Sequence, residues 1–224
     1  MKKLVLTILL VTNIHFAQDS LKYNLDEVIV TSTHRPSSVF DIKKNIEIIK
    51  SEKIATAPIN SVQDLLAYSN SVELNQRGTN GVQADIGIRG GNFEQTLILL
   101  DGIKIVDPQT GHHNLNLPIT HLNIDQIEII KGTSSNINGA NAFNGLVNFK
   151  TKRNKSDSFS AQLEGGDFGL YSASLFGSYN FLNISNNFSF EQNHSNGYRE
   201  NTEYDISNIA YGFYYTASKN VFDF

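Results

Sequence analysis

The sequence predicts an α+β chain: a small domain built on a mixed sheet, followed by the first antiparallel strands of an incomplete transmembrane β-barrel. Three observations carry this. An export signal opens the chain, short apolar strands and a capped helix share its middle, and beyond Lys152 the hydrophobic period becomes almost strictly two.

Lys2 and Lys3 precede the apolar run Leu4 to Val11, with Ile14 and Phe16 behind it and then Ala17, Gln18 and a polar stretch. This is the order of a secretory signal peptide, which places cleavage after Ala17 and residues 1–17 outside the mature fold. Losing Lys2 and Lys3 lowers the formal charge from -4 to -6. Residues 18–35 form a flexible segment around the β-branched run Val28-Ile29-Val30-Thr31, closed by the breaker His34-Arg35-Pro36.

The α+β domain is expected over residues 36–151. Ile46-Glu47-Ile48-Ile49 reads as a strand, and Ser61-Val62-Gln63-Asp64 as a capping-box start to a helix with Val62, Leu65 and Leu66 on one face. Asp85 to Arg89 alternates about Ile86 and Ile88. Leu97 to Leu100 is a continuous apolar strand, and the Asp101-Gly102 turn returns it to Ile103 and Ile105 as a hairpin in a buried sheet. Ile127 to Ile130 and Leu146 to Phe149 complete the strands.

Residues 152–224 carry about four further segments. Phe159, Ala161 and Leu163 alternate with Ser160, Gln162 and Glu164; Tyr171, Ala173, Leu175, Tyr179 and Phe181 alternate with Ser172, Ser174, Ser178 and Asn180. Ile184, Phe188 and Phe190 continue the pattern, and Ile209, Tyr211, Phe213 and Tyr215 oppose Asn208, Ala210, Gly212 and Thr216. The turn at Leu182-Asn183 is short and the loop His194 to Glu203 long, as at the two rims of an outer-membrane barrel. The same alternation would serve a soluble antiparallel sandwich.

Composition excludes several classes. Charged residues reach 18% against a usual figure of about 25%, and the negative balance offers no field for nucleic acid. Zero cysteines exclude disulfides, thiolate metal sites and a cysteine nucleophile. No Gly-x-Ser-x-Gly, no His-Glu-x-x-His and no phosphate loop occurs, so neither an enzyme nor a cofactor is expected. His112 and His113, adjacent in an extended strand, would face opposite ways, and with Asp107 and His121 they match no standard metal spacing.

Five ordered motifs, Val62-Gln63-Asp64-Leu65-Leu66, Ile88-Arg89-Gly90, Leu99-Leu100-Asp101-Gly102, Ile127 to Gly132 and Asn138 to Phe149, resemble the plug domain of TonB-dependent outer-membrane receptors, most closely the cobalamin and siderophore group. The resemblance spans about residues 26–151. Lys131 stands where the family commonly has Arg, and Ser134 to Asn138 replaces a more usual Pro-containing turn. The resemblance implies a receptor in the outer membrane, with plug and N-terminus on the periplasmic side. It also implies uptake of a scarce chelate or vitamin, driven by the TonB protein of the inner-membrane energy-transducing complex, with outer-membrane lipid around the strands.

On that resemblance, Asp26, Glu27, Val28, Ile29, Val30, Thr31 and Ser32 would be the TonB box, adding a strand to the partner's sheet; an ordinary first strand of the plug is the alternative. Arg89, Gly90, Asp101, Gly102, Lys131, Gly132, Gly139 and Gly145 would be structural motif residues, the glycines supplying positive φ or close approach. Gln109, His112, His113 and Asn114 fall in a turn-rich loop that would face the ligand, or solvent alone. Two other readings remain open: a soluble exported binding module with an α/β domain and a β-sandwich, and an envelope hydrolase using Asp101 and a histidine. A plugged barrel of about 22 strands needs far more than the 72 residues after Lys152, so a truncated product or fragment is expected.

Overall fold

The structure is a computed structural model that describes residues 29–30, 37–38, 45–78, 80–154, 156–217 and 220–223. The signal-peptide expectation for residues 1–17 lies outside them. No helix among the described residues is long and apolar enough to cross a membrane.

The chain runs through β1 (Ile29–Val30), β2 (Ser37–Ser38), β3 (Asn45–Lys50), the short helix α1 (Ser51–Thr56) and a 3-10 helix over Val62–Tyr68. Asp64 holds the entry to that helix, its Oδ2 accepting the N–H groups of Asn60 and Ser61, both at 2.9 Å. Val62, Leu65 and Leu66 are buried as the apolar spacing requires. Then follow β4 (Val72–Gln76), β5 (Ala84–Ile88), β6 (Thr96–Leu100), β7 (Ile103–Ile105), β8 (Ile124–Lys131), the short helix α2 (Ser135–Asn138) and β9 (Gly145–Thr151).

The central sheet has the order β3-β8-β9-β6-β7 and is mixed: β6 and β9 pair in parallel, every other neighbour antiparallel. Its inner strands are covered on both faces, which explains the unbroken apolar run Leu97 to Leu100 of β6; Glu128 of β8 and Asn148 of β9, both buried, interrupt the neighbouring strands, Asn148 Nδ2 donating to Glu128 Oε2 at 3.0 Å. Ile98, Ile127, Ile129, Val147 and Phe149 pack with Leu65, Leu66 and Ile124 on one face; Leu97, Leu99, Ile130 and Leu146 pack with Ala142 on the other. The Asp101-Gly102 hairpin forms, with φ 50° and 83° at its two central residues, as a two-residue turn between twisted strands demands. The buried-sheet setting expected for the hairpin holds for β6 but not for β7, which is an edge strand with Ile103 70% exposed.

The remaining strands, β10 (Ser158–Gly165), β11 (Tyr171–Phe181), β12 (Ile184–Ser195), β13 (Tyr204–Ala217) and the short β14 (Asn220–Asp223), form an antiparallel meander in chain order, one short strand more than the four expected. Phe181 opposes Ile184 across the two-residue Leu182-Asn183 turn; segments 166–170 and 196–203 make the longer connections at the opposite rim.

The burial of this sheet is the reverse of a soluble protein's. Phe159, Leu163, Tyr179, Phe188, Ile209 and Tyr211 lie on the exposed face, whereas Ser174, Ser178, Asn187, Ser189, Glu191 and Asn193 are buried. A sandwich would bury the aromatic face, so the soluble-module reading falls. Three aromatics break the alternation: Phe176, Tyr204 and Tyr214 sit on the polar face, Phe176 and Tyr214 buried. There Tyr214 OH meets Thr151 Oγ1 at 2.7 Å, and Lys152 Nζ lies 5.7 Å from the Phe176 ring centroid.

Candidate functional site

Two regions of the first domain reach toward its surroundings. At the rim of the longer connections, residues 77–83 join β4 to β5 and residues 106–118 follow β7. Asp85, buried on β5, ties them together. Its Oδ2 accepts Arg77 Nε at 3.0 Å, and its Oδ1 lies 2.8 Å from His112 Nδ1. The His112 ring leans on Phe93, with centroids 4.2 Å apart. Asp107 closes the start of its own loop, its oxygens accepting from Gln109 N, Thr110 N and Thr110 Oγ1. The Thr110 hydroxyl first, with those backbone N–H groups, holds the Asp107 carboxyl at about 2, below its ordinary value.

The four residues expected to face a ligand therefore divide. Gln109 and His113 are exposed; His112 is partly buried against Asp85 and Phe93; Asn114 is buried, its Oδ1 accepting the Asp107 N–H at 2.6 Å. The segment is turns and bends rather than an extended strand, which corrects the strand geometry assumed for the histidine pair. Among the described residues no three His, Cys, Asp or Glu side chains converge as a metal site. Sequence reasoning missed Arg77, Asp85 and Asn80. Asn80 Nδ2 donates to Tyr204 OH at 2.6 Å, fastening this end to β13. A cavity of about 550 Å3 opens between the 76–82 segment and the 198–203 connection, with Arg77, Gln76, Tyr198 and Arg199 among its walls.

At the other end, Asp101 binds the last residue of β9, where the chain leaves the central sheet. Its oxygens accept Thr151 N at 3.0 Å and Thr151 Oγ1 at 2.6 Å, and Lys150 Nζ lies 3.3 Å away. Through Thr151 the turn reaches Tyr214 on the wall. Among the described residues no histidine joins Asp101, the pairing on which the hydrolase reading rested. Arg89 adopts φ 53° beside Gly90, is exposed, and sits against Gly132. Lys131 pairs with Glu47 at 2.8 Å. Gly90, Gly132 and Gly139 share the left-handed backbone of Gly102. Gly145 instead answers a close approach, since a Cβ there would lie 2.6 Å from the Ile130 carbonyl oxygen.

Of the segment expected to contact TonB, Ile29 and Val30 lie within the described residues. They pair antiparallel with Ser38 and Ser37. Asp26, Glu27, Val28, Thr31 and Ser32 lie outside them.

A mixed-sheet domain seated on the polar face of a sheet whose other face is apolar and exposed defines the class: a plugged outer-membrane β-barrel protein. Comparison makes this particular. Residues 38–146 match the model of the TonB-dependent receptor plug domain, and this part of the chain is a plug domain of that family of outer-membrane receptors. The vitamin B12 transporter BtuB of Vibrio vulnificus (strain YJ016) is 30% identical over 179 residues, 79% of this chain and 29% of the transporter. The corresponding transporter of Vibrio cholerae serotype O1 (strain ATCC 39315 / El Tor Inaba N16961) is 28% identical over 57% of this chain and 21% of its own length. The chain thus spans less than a third of these relatives. Among solved structures, the siderophore receptor PiuA of Acinetobacter baumannii superposes with a TM-score of 0.65 at 21% identity, over 85% of this chain and 26% of the receptor. The pyoverdine receptor FpvA of Pseudomonas aeruginosa PAO1 gives 0.69 at 13% identity, over 87% and 29%. At these identities the likeness is one of fold.

Proposed function

We propose that this chain supplies the plug and opening wall of a receptor that imports a scarce chelate or vitamin, a siderophore or cobalamin, under the drive of TonB. The observation that carries the reading is the seating of the plug on the polar face of a sheet whose apolar face suits lipid. The named activities of the relatives, vitamin B12 transport and siderophore reception, point the same way. In this reading residues 1–17 direct export and 18–35 hold the TonB contact at residues 26–32. Residues 36–151 plug the lumen, and 152–224 begin the barrel. Gln109 and His113, with the walls of the 550 Å3 cavity, meet the ligand at the outer rim.

The contact with TonB would be strand addition, in which main-chain hydrogen bonds carry the affinity. Ligand held at the outer rim would bias release of the 26–32 segment, and tension there would rearrange the plug to open a path. The test is uptake of radiolabelled cyanocobalamin and of a ferric siderophore by intact cells carrying the receptor with residues 26–32 deleted. Binding without accumulation is expected, and undiminished accumulation would overturn the reading.

A further inference from the structure

Where the plug meets β12, the two surfaces enclose a cavity of about 310 Å3. Ser61 and Gln63 line it from the plug, Glu191 and Asn193 from the wall. Residues 191 and 193 share one face of β12, about 7 Å apart along the strand. All four side chains belong to residues more than nine-tenths buried. Ser61 Oγ, Gln63 Oε1 and Asn193 Oδ1 have no hydrogen-bond partner among the described residues. The orientation of the Gln63 amide is set by three oxygens around its Nε2, those of Gly81 at 3.2 Å, Asn116 at 3.3 Å and Leu115 at 3.4 Å, which leaves Oε1 as the free end.

Glu191 is held by neutral groups, Asn208 Nδ2 at 2.8 Å and Ser174 Oγ at 3.5 Å. The cavity walls include no Lys, Arg or His; Asp205, at the same wall, is already paired with His194 at 2.9 Å. Water would satisfy the three orphan oxygens, and the cavity has room for it. Water does not neutralise a buried carboxylate, which ordinarily is paired or binds a metal. An all-oxygen set of one carboxylate, two amide carbonyls and a hydroxyl is the donor chemistry of a hard cation.

We propose that this cavity binds a hard divalent cation of the Ca2+ type, held by Glu191, Asn193, Gln63 and Ser61 with water completing the coordination. The inference is independent of the uptake reading and of any ligand at the rim. With a single carboxylate the site is weak, in the range of about 10⁻⁴ to 10⁻³ M that low-charge calcium sites occupy. Its effect is to bridge the 62–68 helix start to β12, joining plug and wall through the ion.

The test uses the full chain folded in detergent micelles, with CaCl2, MgCl2 and NaCl at matched ionic strength and thermal unfolding as readout, beside tyrosine-sensitised Tb3+ luminescence displaced by Ca2+. Calcium should raise the unfolding midpoint saturably, magnesium less and sodium not at all. Glu191→Gln should abolish the calcium response, and Asn193→Asp, by adding a second carboxylate, should tighten it about tenfold. Equal responses to calcium and sodium, no response in the parent chain, or an undiminished response in Glu191→Gln would each overturn the proposal. Should Glu191→Gln not fold, an unchanged calcium affinity in Asn193→Asp overturns it equally.

Discussion

Glu47 shows how one side chain joins local propensity to a fixed geometry. It stands on the edge strand β3, where Lys131 Nζ reaches Oε2 at 2.8 Å and the hydroxyls of Ser69 and Ser71 donate to the same oxygen at 2.8 and 3.1 Å. Burial pushes the Glu47 carboxyl up, but the hydrogen bonds from Lys131, Ser69 and Ser71 and the Lys131 charge outweigh it, so the net shift is downward from 4.5. A carboxyl with a depressed folded-state value stabilises the fold above its unfolded value and loses that contribution as the pH falls through the folded one. Denaturant unfolding should therefore show stability falling below about pH 4.5, and Glu47→Gln should flatten that limb; an unchanged limb would refute the assignment. Lys131 does here with one ammonium what a guanidinium fork would do with two donors. The apex residues Arg77, Asp85 and His112 illustrate the opposite case. They are 8 and 27 positions apart, no local spacing joins them, and only the β4–β5 pairing and the 106–118 loop bring them together.

Among elements, the short pair of β1 with β2 is where the TonB reading meets the backbone. If strand addition is the contact, main-chain donors matter more than side chains, so Val30→Pro should reduce uptake far more than Val30→Ala. Equal loss in the two variants, measured as TonB-dependent accumulation of a labelled ligand, would count against strand addition. The Asp101-Gly102 hairpin was legible because an Asp-Gly pair between apolar runs has few other uses, and β6 because Leu97 to Leu100 is an unbroken apolar run. β4, α1 and α2 were not: Val72–Gln76 is half polar, and the helices have six and four residues, too short to display a 3.6-residue period.

For the whole molecule the deciding quantity is which face of the second sheet is dry. β11 has 11 residues and β12 has 12, lengths that suit a tilted crossing of about 9–11 residues. Ile209, on the outward face of β13 and 62% exposed, should tolerate other apolar residues but not charge. Ile209→Arg is expected to cost about 2–4 kcal/mol of folding stability in lipid vesicles if the position lies near the midplane, and almost nothing in Ile209→Leu. An Arg variant that folds into vesicles as readily as the parent would show that this face does not meet lipid.

By itself the sequence determined the order of the central strands along the chain, the hairpin turn and the two-residue period of the wall, because each is written in residues close together along the chain. The five motifs carried the family for the same reason. Tertiary structure alone decided which way the alternating sheet faces, since period two is identical for a sandwich and a barrel and only the partner on the polar side distinguishes them. It also decided that Phe176 and Tyr214 turn inward, and that Asp85 gathers Arg77 and His112. It set Gln63 on the same cavity as Glu191 and Asn193 as well, across more than a hundred residues of chain.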